Sequence, residues 1–209
     1  VIVTGSNESD YQKEVKQAPN GTFAGATEDR LITQITGATL TLDRPLTYAH
    51  LGEGILSSEV GLLSHNVVVE SAEPDGVRGH TMYHRDSAGG ISYAEFRHLG
   101  KKGVLGKYPI HFHLARDTMR GSGVTGASVW DSDNRWITVH GSDHLLVRDC
   151  VGYRSRGHGF FLEDATEQWN VFDRNLAVQA IGAKGQTLIV ISDGNHPLHV
   201  GGESRGRKH

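Results

Sequence analysis

Three short segments in the middle of the chain share one pattern, and their spacing limits the folds that this sequence can adopt. Residues 110–113 (IHFH), 137–140 (ITVH) and 160–163 (FFLE) each have the residue alternation that suits a β-strand. The three segments begin 27 and 23 residues apart. A period in the twenties, built from strands, is typical of stacked structural units that share one continuous core. The pattern therefore predicts a parallel β-helix.

The remainder of the sequence agrees with an all-β fold. From residue 31 onwards, β-branched segments of strand length are separated by Gly, Pro and Asp, and no sustained helical periodicity occurs up to residue 192. Glycine accounts for 27 of the 209 residues, which indicates many tight turns. We predict a right-handed parallel β-helix, a single-stranded solenoid, over 38–192. An irregular N-terminal arm or cap over 1–37 precedes it, and a solvated C-terminal tail over 193–209 follows.

The composition argues against several classes of partner. The formal net charge of −3 gives no positive footprint for nucleic acid, and no apolar run is long enough to cross a membrane, so we expect neither partner. Cys150 is the only cysteine, which excludes an internal disulfide, and we expect it to be buried. Residues 1–10 lack the pattern of a signal peptide, and the chain is expected to be a mature form or a fragment.

The alternation within the repeat predicts which side chains face the core. Successive residues of a strand point to opposite sides, so one set should fill the interior: Ile110, Phe112, Leu114, Ile137, Val139, Phe160 and Leu162. The other set should point outward: His111, His113, Thr138, His140, Phe161 and Glu163. In register, His113, His140 and Glu163 form a column on neighbouring strands about 4.8 Å apart.

Such a column suggests a metal or catalytic site. Imidazole and carboxylate groups are common ligands of zinc and copper, so we expect His111, His113 and His140 to hold a divalent or redox transition metal. His80 or His84, about one coil earlier, could extend the column, and we count His80 among the candidate metal ligands. The alternative is a surface ladder of polar side chains that hydrogen-bond along a sheet.

Residues near the column are candidates for catalysis or substrate binding. Glu163 and Asp117 could serve as acid and base, and Asp117 could instead be a solvated turn residue or a partner of an imidazole. His158 is equally a site residue or a turn residue. Arg135 could bind an acidic sugar or form a salt bridge at the coil edge. Trp136 could stack on a sugar ring or pack in the core.

Several motifs resemble a known family. The segments EVGLLSHN (59–66), GHTM (79–82), GKYPIHFHLARD (106–117), NRWITVHG (134–141), GHGFFLED (157–164) and NVFDRNL (170–176) occur in a familiar order. They resemble the family of the cell migration-inducing, hyaluronan-binding protein, its transmembrane relative and the fibrocystins, over roughly residues 38–178. Residues 38–66 look like the end of that family's Gly-rich β-domain, and the following residues look like its right-handed β-helix.

The resemblance implies extracellular work on carbohydrate, with hyaluronan or another uronate polymer as substrate. The residues of this chain that match the family's pattern are His111, His113, Asp117, His140, His158, Glu163 and Asp164. We therefore include Asp164 among the candidate substrate-binding residues. Two positions depart from the family: Trp136 replaces a usually smaller residue, and Ala165 replaces a usual Gly. Either change could reshape a groove.

Four hypotheses remain open at this point. The first is a polysaccharide-cleaving enzyme that works as a hydrolase, a lyase or a metal-dependent oxidative enzyme. The second is a β-helix module that binds glycans without turnover. The third is a small metal-binding β-barrel, which is disfavoured because Asp117 stands near where such a motif carries Glu. The fourth is a repeat scaffold with no site.

Overall fold

A computed structural model describes residues 1–5, 26–53 and 57–181. Within these residues every regular element is a β-strand, and eighteen strands occur. No helix in this part of the chain has the length and hydropathy that a membrane span requires. The chain divides into two compact units between Ser64 and His65.

The first unit is built from antiparallel strands. Its five strands are β1 (Ile2–Val3), β2 (Glu28–Asp29), β3 (Ile32–Thr36), β4 (Thr39–Leu42) and β5 (Val60–Gly61). Strand β1 lies between β2 and β5, and β3 and β4 form a separate hairpin. The predicted boundary after residue 37 cuts through this hairpin. Parallel pairing begins only at Val67, because residues 39–42 pair with the preceding strand and not with a coil.

A buried carboxylate holds part of the first unit together. Glu28 accepts hydrogen bonds from the backbone N–H groups of Thr47 and Tyr48, at 2.8 and 2.9 Å, and contacts His50 Nε2 at 3.1 Å. It also pairs with the buried Arg30 side chain. Burial opposes ionisation of Glu28, but these hydrogen bonds outweigh it and lower the pKa of the carboxyl. The network joins β2 to the segment that follows the hairpin.

The second unit consists of stacked coils, each of which contributes a strand to three parallel sheets. Sheet 1 contains β7 (Thr81–Tyr83), β10 (Ile110–Arg116), β13 (Ile137–Ser142) and β16 (Phe161–Leu162). Sheet 2 contains β8 (Gly90–Ser92), β11 (Gly123–Thr125), β14 (Leu146–Arg148) and β17 (Val171–Asp173). Sheet 3 contains β6 (Val67–Glu70), β9 (Ala94–Arg97), β12 (Ser128–Ser132), β15 (Val151–Arg156) and β18 (Leu176–Ile181).

Neighbouring strands in all three sheets are parallel, so the second unit is a parallel β-helix of about four turns. The predicted fold class is confirmed. The predicted end of the β-helix at residue 192, the tail over 193–209 and much of the N-terminal arm lie outside the described residues.

The register of sheet 1 agrees with the register predicted from the repeat. Ile110 pairs with Ile137, His113 pairs with His140, and Val139 pairs with Leu162. The inward-facing residues are buried and form the central layer of the core, which also includes Val124, Val129, Val147 and Cys150. Stacking like residues on successive coils lets each coil cover the apolar edge of the coil before it.

The predicted inward position of Leu114 is wrong. His113 pairs with His140 and Arg116 pairs with Ser142, so two residues of β10 lie opposite one residue of β13. This arrangement is a β-bulge, and it breaks the simple alternation of side chains. Leu114 has φ of +50° and is 40% exposed, while Ala115 takes the buried position.

Trp136 is part of the core, which corrects its assignment as a sugar-binding residue. Its ring is 1% exposed and packs edge-on against Phe160, with 5.5 Å between ring centroids. Gly152 and Gly159 provide the space, because a Cβ at either position would collide with the ring. A large indole is therefore accommodated by two residues without side chains on the neighbouring coil.

Candidate functional site

The outer face of sheet 1 brings the predicted histidines together. The ring centroids of His111 and His113 are 5.0 Å apart, and those of His113 and His140 are 4.8 Å apart. One ligand atom each from His111, His140 and Glu163 lies within 4.8 Å of the other two. We call these three residues the His/Glu cluster. Their assembly follows from the register of β10, β13 and β16, since Glu163 comes directly after Leu162.

The His/Glu cluster points away from the core, but it is not exposed. The chain between β9 and β10 covers this face, where the Tyr108 ring lies 4.7 Å from the His111 ring. His111 has no exposed surface, and Glu163 is 7% exposed. His113 and His140 are half-buried and form the accessible edge. The cluster is therefore open to solvent only along the edge formed by His113 and His140, among the described residues.

A hydrogen bond sets the tautomer of His111, and a close carboxylate positions the ring of His140. His111 Nδ1 lies 2.9 Å from the carbonyl oxygen of Gly106 and donates to it, so Nε2 carries the lone pair. Burial lowers the pKa of His111 to about 3, which keeps the ring neutral at physiological pH. His140 Nε2 lies 2.9 Å from Asp164 Oδ2, an ion-pair distance that places Nδ1 on the side of the ring towards Glu163.

Both rings have a nitrogen close to the same carboxylate. His111 Nε2 lies 3.9 Å and His140 Nδ1 lies 3.7 Å from Glu163 Oε2. Neither His111 Nε2 nor Glu163 Oε2 makes a well-aligned hydrogen bond with the described residues. Buried polar atoms normally have such partners. The two rings and the carboxylate are close enough together to hold a metal ion, beside the Arg135 guanidinium that already pairs with Glu163.

Arg135 is a buried partner of Glu163. Of the two roles considered for Arg135, binding an acidic sugar or forming a salt bridge, its contacts agree with the salt bridge. Its Nη1 lies 3.2 Å from Glu163 Oε2, an ion contact without the alignment of a hydrogen bond. The guanidinium lies over two rings, 4.1 Å from the Tyr108 centroid and 3.8 Å from the Phe161 centroid. Tyr108 Oη donates to Glu163 Oε1 at 3.2 Å. Burial raises the pKa of Tyr108 to about 12, which preserves the phenol as a donor.

The structure places His84, not His80, beside His113. Tyr83 pairs with Phe112, so the next residues of the two strands, His84 and His113, lie side by side. Their ring centroids are 5.1 Å apart. His80 comes before the first residue of β7 and lies at the opposite end of the strand. The histidine column therefore runs through His84, His113 and His140.

The remaining predicted site residues occupy different surroundings. Asp164 contacts His140 directly and is part of the accessible edge. Asp117 lies in the exposed turn after β10, beyond the bulge. His158 is half-buried, with its ring 4.7 Å from the Phe161 ring. Roles for these side chains in catalysis or binding stay predictions.

Tyr108 and Gly106 belong to the site and were not predicted. Both lie in the segment just before β10 that covers the site. Each contacts the cluster only because the folded chain brings that segment over sheet 1. Tyr108 occurs in the motif YPIHFH, which was the one available signal. The Gly106 contribution is a backbone carbonyl, and no residue type in a sequence identifies such an acceptor.

The fold and the cluster define a class: a parallel β-helix with imidazole and carboxylate groups gathered on the outer face of one sheet. The family model described as the CEMIP beta-helix matches residues 76–199. The chain belongs to this family, and the resemblance read from its motifs is confirmed.

Similar proteins include three human relatives. The cell migration-inducing and hyaluronan-binding protein is 38% identical over 158 residues, which cover 63% of this chain and 12% of that protein. The cell surface hyaluronidase CEMIP2 is 35% identical over 156 residues, which cover 63% and 11%. Fibrocystin-L is 31% identical over 206 residues, which cover 74% and 5%. The chain thus spans at most about an eighth of the length of these relatives.

Proposed function

We propose that this protein is a carbohydrate-active enzyme that acts on an extracellular polysaccharide, hyaluronan or another uronate polymer. Three relatives, two human and one from Danio rerio, are named for hyaluronan binding or for hyaluronidase activity, and two of these names place the relative at the cell surface. The observation that carries the proposal is that one ligand atom each from His111, His140 and Glu163 lies within 4.8 Å of the other two.

The donor set of the cluster fits a transition metal. Two imidazoles and one carboxylate are ligands that zinc and copper share, and the hydrogen bond from His111 Nδ1 to Gly106 leaves His111 Nε2 free to bind an ion. His111, His140 and Glu163 would hold the ion, with His113 at its accessible side. A bound zinc would supply Lewis acidity, and a bound copper would add redox chemistry.

The protein's own groups would orient the substrate and manage protons. Tyr108 and Arg135 hold the two oxygens of Glu163, so its carboxylate has a defined direction. Asp164 orients the His140 ring and would stabilise an imidazolium if His140 accepted a proton. His113 and His140 stand at the accessible edge, where a glycosidic linkage could approach.

The test combines metal content with depolymerisation of hyaluronan. Wild-type protein and Glu163→Gln would be measured by elemental mass spectrometry after loading with zinc or copper and removal of excess metal. We expect near-stoichiometric metal in the wild type, loss of at least half in the variant, and loss of polymer cleavage measured by size-exclusion chromatography. His144→Gln, outside the cluster, is the matched control. Cleavage that survives in Glu163→Gln would refute the proposed site.

A glycan-binding module without turnover is the second candidate. The complete burial of His111 and the near-complete burial of Glu163 favour it, because a substrate can touch only the edge of the cluster. This alternative predicts hyaluronan binding by wild type and Glu163→Gln with equal affinity, and no shortening of the polymer with either protein.

A further inference from the structure

A cleft beside the His/Glu cluster crosses three successive coils, at the turns that precede the strands of sheet 1. Its walls come from the segments before β10, β13 and β16, and it includes Lys102, Leu105, Tyr108, Asp133, Arg135 and Arg156. Equivalent turns of a β-helix stack at the strand spacing of about 4.8 Å, so the cleft extends along the axis of the helix. An elongated cleft of this kind suits a chain-like ligand.

Two residues that line the cleft also contact the His/Glu cluster. Tyr108 and Arg135 line it, and the same two side chains hold the oxygens of Glu163. A sugar residue in the cleft would therefore lie one side chain away from the carboxylate of the cluster. A subsite at this position would bind one sugar residue of a polymer, and the neighbouring glycosidic linkage would then lie close to the cluster.

The charge of the cleft is opposite to that of the whole chain. Its one carboxylate, Asp133, lies 2.9 Å from Arg156 Nε; Arg78 lies outside the cleft and contacts both Asp133 and Asp131. Lys102 is exposed at the same cleft and adds a further positive charge. Arg135 and Glu163 balance each other. The cleft is thus locally positive in a chain whose net charge is −3.

The exposed groups also suit a sugar ring. Asp133 is bonded to Nε of Arg156, and the guanidinium fork carries four further N–H groups that can donate to a carboxylate. Val104 and Leu105 are exposed hydrophobic residues that also line the cleft. An apolar wall beside cationic donors matches a uronate residue, which combines a C–H face with a carboxylate.

We propose that this cleft binds a uronate residue of the polysaccharide, with Lys102 and Arg156 recognising the carboxylate. The inference rests on the proposed function for its ligand class, but it concerns binding and not cleavage. It assigns a substrate subsite to residues that lie outside the His/Glu cluster.

The experiment measures affinity by calorimetry for the wild type and for Lys102→Gln/Arg156→Gln. The probes are a hyaluronan decamer, its carboxyl-reduced form and an oligogalacturonate. Arg154→Gln is the control for Arg156, since it removes one positive charge from the same strand outside the cleft. We expect the double variant to bind both uronate probes at least tenfold more weakly, with a smaller dependence on salt. Binding of the carboxyl-reduced probe should be unchanged by the substitutions.

The outcomes separate this inference from the proposed function. Equal affinity of wild type and double variant for the acidic probes would overturn the subsite, whatever happens to cleavage. A wild type that binds none of the probes would overturn it as well. A wild type that binds through Lys102 and Arg156 but never shortens hyaluronan would support the subsite and refute the enzyme.

Discussion

Replacing Arg135 with methionine should destabilise the β-helix, because the Glu163 carboxylate would stay buried without its cation. The two side chains are each about 4% exposed, and their charged atoms are 3.2 Å apart. Removing one partner of a buried ion pair costs roughly 3–5 kcal/mol. Methionine keeps an apolar chain between the Tyr108 and Phe161 rings, so the loss should report mainly on the missing charge.

The assay is urea unfolding, in the presence of a metal chelator, of a double-mutant cycle. The four proteins are the wild type, Arg135→Met, Glu163→Gln and the double variant. We expect the double variant to be more stable than the sum of the single losses predicts, with a coupling of roughly 1–3 kcal/mol. The chelator keeps any bound metal from replacing the guanidinium charge.

Two results would refute this reasoning. One is an Arg135→Met variant that loses less than about 1 kcal/mol, which is the range of an exposed ion pair. The other is strict additivity of the two single substitutions, which would mean that the charges do not interact. Either result would also weaken the view that Glu163 is a buried carboxylate oriented by its neighbours.

Three further predictions concern other parts of the molecule. Gly152→Ala should lower the free energy of unfolding by roughly 1–3 kcal/mol, because the added Cβ would overlap the Trp136 ring. Adding Trp136→Leu to this variant should recover part of the loss, and no recovery would contradict the packing. Burial raises the pKa of Cys150 to about 11, so a thiol reagent at pH 8 should label it only after unfolding; rapid labelling of folded protein would disprove its burial. The stability advantage of wild type over Glu28→Gln should be full above about pH 4.5 and shrink as the pH falls, because burial opposes ionisation of Glu28 but hydrogen bonds lower its pKa in the folded state; a pH-independent difference would count against this.

The repeat was readable from the sequence because the core of a β-helix depends on local alternation. Ile110 and Ile137 lie at equivalent positions in two coils, and only one register buries both while keeping His113 beside His140. The same argument placed Glu163 next in the column. The register of these strands was therefore predictable from patterns within short segments.

The alternation failed where the backbone departed from regular geometry. Leu114 was expected inside, but the bulge in β10 turns it outward, and nothing in the alternating pattern reveals an inserted residue. His80 was preferred to His84 because the number of residues between coils varies. Pairing of Tyr83 with Phe112 sets that register, and it depends on the path of the intervening loop.

Sequence alone determined the fold class, the family and the face on which the histidines gather, because side-chain periodicity and short motifs carry that information. Only the tertiary structure decided that the face is covered, that Arg135 pairs with Glu163 and that Trp136 lies in the core. Those contacts join residues from separate coils, between Tyr108 and Glu163 for example, and they depend on how loops fold back over a sheet. Periodicity describes the strands, whereas the surroundings of the site are made by the segments between them.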